Sequence, residues 1–510
     1  MQPPAFFPLY SVDQVRELDR IAIQGRGIPG IRLMKRAGEA VLRALLKKWP
    51  SPDKITVYCG SGNNGGDGYI VAALARGRGI PVEVVQVAPA AKLSGDARRA
   101  YEFALAEGVV MEALLEHAEF IPVPDKGVIV DALLGTGLSG EVRDPFARVI
   151  DAINLSGLPV VAVDIPSGVC GDSGRIFGRA LRCQMTVTFI GRKRGLYTGS
   201  APAYCGARLF DDLAVPSDIY EQVKAPARLL AWQPLSANLP TRAADAHKGL
   251  FGHVLCVGGD CGFGGAVAMA AEAALRTGAG LVSVATRPEH VPALIARCPE
   301  IMAVGVNSGQ ELEPLLEKAS VLVVGPGLGR SPWSEQLLQK ALASGLPMVL
   351  DADGLNILNE SRIGGRADLS RTLMTPHPGE AGRLLGVDSH EIQGDRFAAV
   401  RALQQKFAAT VLLKGAGTLI ADAESVISLC PYGNPGMAVG GMGDVLSGIL
   451  GALMAQGLPS REAAETGACL HALAADDAVA LSGQIGLCAT DLMPLLRHWR
   501  NKSALQEMHH

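Results

Sequence analysis

Aromatic side chains are scarce in this 510-residue chain: phenylalanine, tryptophan and tyrosine make up 5% of it, although 48% of its residues are hydrophobic. The apolar content is therefore mainly aliphatic, and 61 glycines supply many tight turns between strands and helices. Net charge is small as well, −3 at pH 7. No basic field is available for nucleic acid, so any affinity for phosphate must come from local loops. The ten cysteines form no Cys-x-x-Cys pair and follow no regular spacing, which argues against zinc and for a reducing compartment. No apolar run reaches membrane-spanning length; the longest, around 445–458, directly follows Asp444 and is broken by glycine. The start, "MQPPAFFPLYSVDQ", lacks a basic region followed by an apolar stretch. A cytoplasmic protein with no membrane and no nucleic-acid partner is expected.

What is present is an alternation of strands and helices. The chain is too long for one hydrophobic core, so two domains are expected. Ser11 and Gln14 make a capping box that opens a first helix, with Val15, Leu18 and Ile21 on one face. Strand-type runs follow at 55–59, 82–87, 128–135, 160–168, 185–190 and 207–211, separated by helical patterns. Continuous apolar strands of this kind belong to a parallel sheet covered on both faces. Periodicity lapses over 223–245, read here as a linker. A second series then runs through 253–259, 281–286, 321–327, 348–354 and 410–417 and ends in helices from about 443 to 480. The expected domains are 1–222 and 246–510.

The stretch "GSGNNGGDG" (60–68) satisfies the dinucleotide fingerprint G-x-G-x-x-G between a strand and a helix. A dehydrogenase would also need an acid at the end of the second strand, about 20 residues on, for the ribose hydroxyls. "VEVVQV" (82–87) ends without one, so a different use is indicated. Asn63, Asn64 and Asp67 in that loop, Asp131 and Asp164 at later strand ends, Ser167, and the turn "GTGLSGE" (135–141) form an oxygen-rich set. Such groups suit a hard cation and, through glycine backbone, a phosphate. Alone, an aspartate at a strand end is usually a turn or cap residue; three such positions in one domain are harder to explain as turns. "SGNNGGDG", "DALLGTGLSG" and "VDIPSG" together resemble the NAD(P)H-hydrate epimerase family over residues 10–220. The resemblance implies a Rossmann-like three-layer parallel sheet. It also implies binding of hydrated NADPH by Asn63, Asn64, Gly65, Gly66, Asp67, Gly135, Thr136, Gly137, Leu138, Ser139, Gly140, Glu141 and Asp164, and potassium held by Asn64, Asp131 and Ser167. Inverting the hydrated ring carbon requires a bond to oxygen or nitrogen to break and re-form, with a carboxylate shuttling a proton. Asp164 is the candidate.

In the second half the strongest signal is "NPGMAVGGMGDVLSGILGAL" (434–453). Its glycines precede Asp444 at the start of an apolar helix, so backbone N–H groups and the helix dipole converge on an anion beside a base. "LLKGAGT" (412–418) runs a strand into a glycine turn at Lys414, and "TPHPGE" (375–380) locks His377 between prolines. With "GGDCGFGGA", "GPGLG" and "DADGLN", these motifs resemble the ADP-dependent NAD(P)H-hydrate dehydratase family, ribokinase-like, over 246–500. The resemblance implies contacts to the hydrate at Ala266, Gly327, His377 and Asp444. It further implies contacts to ADP or AMP at Lys414, Gly415, Ala416, Gly417, Thr418 and Gly443, with Mg2+ accompanying ADP. Asp444 is the catalytic candidate. The whole chain is similar to the bifunctional NAD(P)H-hydrate repair enzymes, whose substrates are NADHX, NADPHX and ADP, and a homo-oligomer is expected. Two other readings stay open here: a small-molecule alcohol kinase with a regulatory first domain, and a first domain that is a nucleotide-binding interaction module.

Overall fold

Runs such as "ITVYC" and "VIVDA" have no polar face to offer water, so strands made from them must be covered on both sides. The computed structural model describes residues 6–114, 121–360 and 368–507, with no side-chain description for 503–507. It divides into two compact α/β units, Pro8–Ala227 and Arg228–His510, the latter joined by Met1–Phe7.

The strands that begin the chain are β1 (Phe6–Tyr10), β2 (Ile55–Cys59), β3 (Val82–Gln86), β4 (Val110–Ala113), β5 (Val128–Ala132), β6 (Val160–Val163), β7 (Met185–Phe189), β8 (Arg192–Lys193) and β9 (Ala207–Asp211). Seven of them form one sheet in the order β4-β3-β2-β5-β6-β7-β9. Every pairing in it is parallel. Its two faces feed separate cores. Ile55, Val57 and Cys59 of β2 pack with the helices Gly30–Lys48 and Asn63–Gly77, while Tyr58 joins Ile129 and Ile150 on the other side. Strand order reverses between β2 and β5, and loops leaving such a switch point open a crevice at the sheet's carboxyl edge. The first helix, Val12–Arg20, carries the expected Ser11–Gln14 capping box and buries Val15 and Leu18. It continues as a π turn over Ile21–Gly25.

The other unit contains β10 (Ala227–Leu230), β11 (His253–Val257), β12 (Leu281–Thr286), β13 (Met302–Gly305), β14 (Val321–Val324), β15 (Met348–Leu350), β16 (Thr372–Met374), β17 (Thr410–Leu413), β18 (Thr418–Ala421) and β19 (Ile427–Cys430). Their order is β13-β12-β11-β14-β15-β16-β17-β18-β19-β10. Pairing is parallel from β13 to β17 and antiparallel through β18 and β19. One face is covered by the helices Gly264–Thr277, Met442–Ala455 and Ser460–Ser482 around Val254, Cys256 and Val323.

The stretch 223–245 is not the plain linker that its composition suggested. It carries β10 and the helix Trp232–Ala237, both with buried leucines. Arg228 binds Ser428 and Glu465, and the Trp232 amide donates to the Tyr432 hydroxyl at 3.1 Å. Tertiary partners order it where local periodicity is absent.

The two helices over that face approach closely at Gly448, where a β-carbon would lie 2.0 Å from the Ala270 carbonyl oxygen. Gly448→Ala gains about 1 kcal/mol of helix propensity, but the obstacle is backbone and cannot rotate away. Overpacking of this kind typically costs about 1–3 kcal/mol. The variant should unfold at lower temperature than the parent in calorimetry, the loss confined to the Arg228–His510 unit.

Candidate active sites

The first unit encloses a cavity of about 780 Å³ where the loops after β2, β5 and β6 converge. Asn63, Asn64, Asp67, Gly135, Thr136, Gly137, Leu138, Ser139 and Asp164 line it. Gly65 and Gly66 are not among the lining residues, and both are closely packed. A β-carbon on Gly65 would lie 2.1 Å from the Gly60 carbonyl oxygen, and one on Gly66 would strike Met34 and Ala97. Gly140 and Glu141 are exposed and lie beyond the lining residues. The fingerprint glycines thus let this loop cross its neighbours, and the polar side chains face the cavity.

Asp164 directly follows β6 and holds a left-handed backbone, φ 65°. Its Oδ1 accepts from the Thr188 hydroxyl at 3.1 Å and the Phe189 amide at 3.2 Å, and it forms a short ion pair with Lys193. Lys193 is 1% exposed and also donates to Thr188 and the Phe189 carbonyl, both at 3.2 Å. The Asp164 oxygen is thereby fixed in direction. Three further carboxyls line the same cavity, Asp19, Asp67 and Asp96. Burial pushes Asp19 up to about 6, a rise that Lys193 opposes and Asp164 reinforces. Burial, then the nearby Asp164 and Asp19, push Asp67 well up. At the rim Arg16 donates to the Thr136 carbonyl at 3.0 Å and brings positive charge to the 135–139 turn. Lys193, Asp19 and Arg16 lie in no motif, and sequence reasoning missed all three.

Asp131 is fully buried beneath this floor. Its carboxylate accepts from the Ser167 hydroxyl (2.6 Å), the Ser167 amide (2.7 Å) and the Leu133 amide (3.2 Å). Burial raises it to about 6, against the pull of those bonds. Asn64 is 8% exposed, and neither atom of its amide has a protein partner among the described residues. An orphaned buried amide is costly unless something else satisfies it.

In the second unit three neighbouring parallel strands, β15, β16 and β17, end together. Asp351 follows the first and Lys414 the third, 2.6 Å apart between Oδ1 and Nζ. Ser447 donates to the other Asp351 oxygen at 2.8 Å, and Glu380 lies 3.8 Å from the ammonium. Burial would lower Lys414, but Asp351, Glu380 and Asp444 around it leave it above the usual lysine range. A β-carbon on Gly443 would lie 3.3 Å from Nζ and 3.5 Å from the Asp351 carboxylate, so the first turn of the Met442–Ala455 helix lies directly over this pair. Asp444, in the helix's first turn, is pushed up to about 7 by burial and by the charge of Asp351.

His377 caps the helix Pro378–Leu385: its Nδ1 accepts from the Gly379 amide at 3.0 Å and the Glu380 amide at 3.4 Å. Burial, Lys414 and Arg383 lower its pKa, so the neutral ring carries its proton on Nε2, 3.3 Å from Glu380. Ala266 and Gly327 are brought together, a β-carbon on the glycine lying 3.1 Å from that of Ala266. The 415–417 turn is exposed at Gly415 and Ala416, and Thr418 closes it by donating to the Gly415 carbonyl at 3.1 Å. Beneath it Arg396 is completely buried and donates to the carbonyls of Leu413, Lys414 and Gly417. Sequence reasoning gave no role to Arg396 or Ser447, nor to Asp351 and Glu380, although "DADG" and "PHPGE" contained the last two.

Residues 254–497 match the family model described as NAD(P)H-hydrate dehydratase, and residues 30–195 match YjeF-related protein N-terminus. The Bifunctional NAD(P)H-hydrate repair enzyme Nnr of Coxiella burnetii is 51% identical over 96% of this chain and 98% of that one. The Escherichia coli enzyme of the same name is 40% identical over 98% of this chain and 95% of its own. A solved ribokinase-like superfamily protein from Enterococcus faecalis, 31% identical, covers 55% of this chain and 96% of its own with a TM-score of 0.50.

Carbon-detected NMR of labelled aspartate should find Asp444 titrating near 7. In Asp351→Asn the repelling charge is gone and Lys414 is free to turn to Asp444. Both changes favour the carboxylate, so its midpoint should fall; an unmoved midpoint would mean burial alone sets it.

Proposed function

This chain belongs to the family of bifunctional NAD(P)H-hydrate repair enzymes, and on that premise we propose how its two sites share the work. The first unit interconverts the R and S epimers of hydrated NADH and NADPH, and the second dehydrates the S epimer at the expense of ADP, giving AMP and phosphate. A stereospecific dehydratase alone would strand half of its substrate; the epimerase feeds it. Relatives matching nearly the whole chain, both halves included, leave no ground for a simple alcohol kinase or a non-enzymatic first domain.

The observation that carries the epimerase assignment is Asp164, held by Lys193 in the cavity. The dinucleotide lies across the 135–139 turn, with its hydrated ring at Asp164, which takes and returns the hydroxyl proton. Potassium fits the oxygens of Asn64, Asp131 and Ser167: an unpartnered buried amide, a buried carboxylate and a hydroxyl suit a large monovalent ion. Bound there, it would balance the charge of Asp131.

For dehydration the carrying observation is Asp444 beside the Lys414–Asp351 pair and the glycine turn. Asp444 takes the proton of the substrate hydroxyl as that oxygen attacks the terminal phosphate of ADP. Backbone N–H groups at the start of the Met442–Ala455 helix stabilise the charge on the phosphoryl group. The ring nitrogen then expels phosphate, a far better leaving group than hydroxide, and loss of a proton from the next carbon restores the reduced ring. The turn Lys414–Thr418 receives the AMP portion, and Ala266, Gly327 and His377 border the hydrate. Asp351, Glu380 and Asp444 outnumber Lys414, an excess of negative charge that fits Mg2+ entering with ADP against Asp351 and Glu380. The ion would neutralise phosphate charge. Ten free cysteines suit a cytoplasmic setting, and the exposed Met302 and Val304 on edge strand β13 suit a homo-oligomer.

Asp164→Asn should abolish epimer interconversion and leave dehydration of the S epimer intact. Asp444→Asn should do the reverse, lowering dehydration about 100- to 10,000-fold. Incubating each protein with an epimer mixture, with and without ADP, and following reduced-nicotinamide absorbance reads both; one AMP should form per ring restored. A phosphorylated hydrate accumulating without that absorbance would overturn the dehydratase chemistry. Asp131→Ala should weaken hydrate binding and remove potassium dependence, measured by substrate titration in potassium against tetramethylammonium.

A further inference from the structure

Epimerisation at a carbon bearing both hydroxyl and ring nitrogen needs two proton transfers, and Asp164 accounts for one. When the hydroxyl gives its proton to Asp164, the carbon–nitrogen bond opens, its electron pair passes to nitrogen, and the carbon becomes a carbonyl. Nitrogen must then receive a proton. The carbonyl turns, nitrogen attacks its opposite face, the nitrogen's proton goes back, and Asp164 returns its own to oxygen. Nothing is oxidised or reduced, and the atoms balance.

The cavity is lined by further carboxyls able to serve the second transfer. We propose that Asp19, on the helix Val12–Arg20, is a further catalytic residue of epimerisation, the acid that protonates and deprotonates the ring nitrogen while Asp164 serves the hydroxyl. The inference rests on the Asp164 assignment above. Asp19 lines the same cavity and shares the electrostatic neighbourhood of Asp164 and Lys193. Among the described residues it has no hydrogen-bond or ion-pair partner, whereas Lys193 is committed to Asp164, Thr188 and the Phe189 carbonyl.

The charged groups that share this cavity with Asp19 from other elements are Asp164 after β6, Lys193 in β8, Asp67 in the helix Asn63–Gly77 and Asp96 in the helix Gly95–Ala106. On its own helix Arg16 is turned to Asp13 and Thr136, and Arg20 to Glu17. Burial and the Asp164 charge hold Asp19 at about 6, where a carboxyl both gives and regains a proton near neutrality. Asp67 is pushed well up by burial and then by Asp164 and Asp19, and Asp96 is paired with Arg99 at 3.1 Å.

The test uses the full-length protein and hydrate enriched in the R epimer, without ADP, with epimers separated by chromatography. Asp19→Asn keeps the shape and loses the proton. Its epimerisation kcat should drop by about 100-fold or more, with little change in KM and none in S-epimer dehydration. In the parent, kcat should fall as pH rises through the Asp19 midpoint, because the acid form is required; the variant should lack that limb. Asp19→Glu should restore activity and the limb. Unchanged kcat with the limb intact in Asp19→Asn, while Asp164→Asn is inactive, overturns the inference. Activity persisting in Asp164→Asn overturns the reading beneath it instead. Should Asp19→Asn unfold earlier than the parent, Asp19→Glu decides alone: a pH limb that has not moved overturns the proposal.

Discussion

An ammonium group taken out of water costs several kcal/mol unless a carboxylate meets it there, and each site of this enzyme is organised by such a pair. Lys193 is buried against Asp164, and Lys414 against Asp351. Both aspartates directly follow parallel strands, where the backbone is rigid and the register is set by the sheet. Removing either partner would leave an unpaired buried charge, so the loops around each pair have little freedom to rearrange. That stiffness fixes where the other acids stand. Asp444 lies against a pair that already contains a negative charge, and Asp19 and Asp67 share a cavity with the Asp164–Lys193 pair; burial first, and these charges second, raise all three.

The two pairs serve different chemistry because their surroundings differ. Around Lys414 a helix start offers backbone N–H groups, and the carboxyls of Asp351, Glu380 and Asp444 outnumber the ammonium. Around Lys193 the neighbours are carboxyls and apolar walls such as Leu33, Met34 and Phe146. Such a setting moves protons but offers little to a transferring phosphoryl group beyond Arg16 and the glycine turn at its rim. One unit handles stereochemistry and the other the leaving group.

Much of this was legible in the sequence because loops that approach a ligand need glycine and polar residues at fixed offsets from a strand. Asn63, Asn64, Asp164, Lys414 and Asp444 stood out for that reason. Lys193 and Asp19 did not: each is an ordinary charged residue locally, and only the folded sheet turns them toward Asp164. Arg396 was illegible in the same way, since nothing near it announces a buried guanidinium holding three carbonyls. Short strands such as β13, β16, β18 and β19, of three or four residues, fall below the length at which alternation can be read. Strand β10 hid behind prolines, and tertiary partners rather than local pattern define it. The fingerprint glycines were read as ligand contacts, yet Gly65 and Gly66 are small because backbone and side chains press on them.

Because Phe6 and Phe7 group with Arg228–His510 while Pro8–Ala227 stands as its own unit, the chain is nested rather than simply tandem. The Arg228 guanidinium sits 4.0 Å over the Phe6 ring, a contact between residues more than two hundred positions apart. During synthesis the inner unit is complete once Ala227 has emerged, and it can fold while the ribosome is still at work. The opening residues have no such opportunity. They must wait through the whole of the epimerase for the strand that follows it, so the dehydratase cannot be completed until the epimerase has been made.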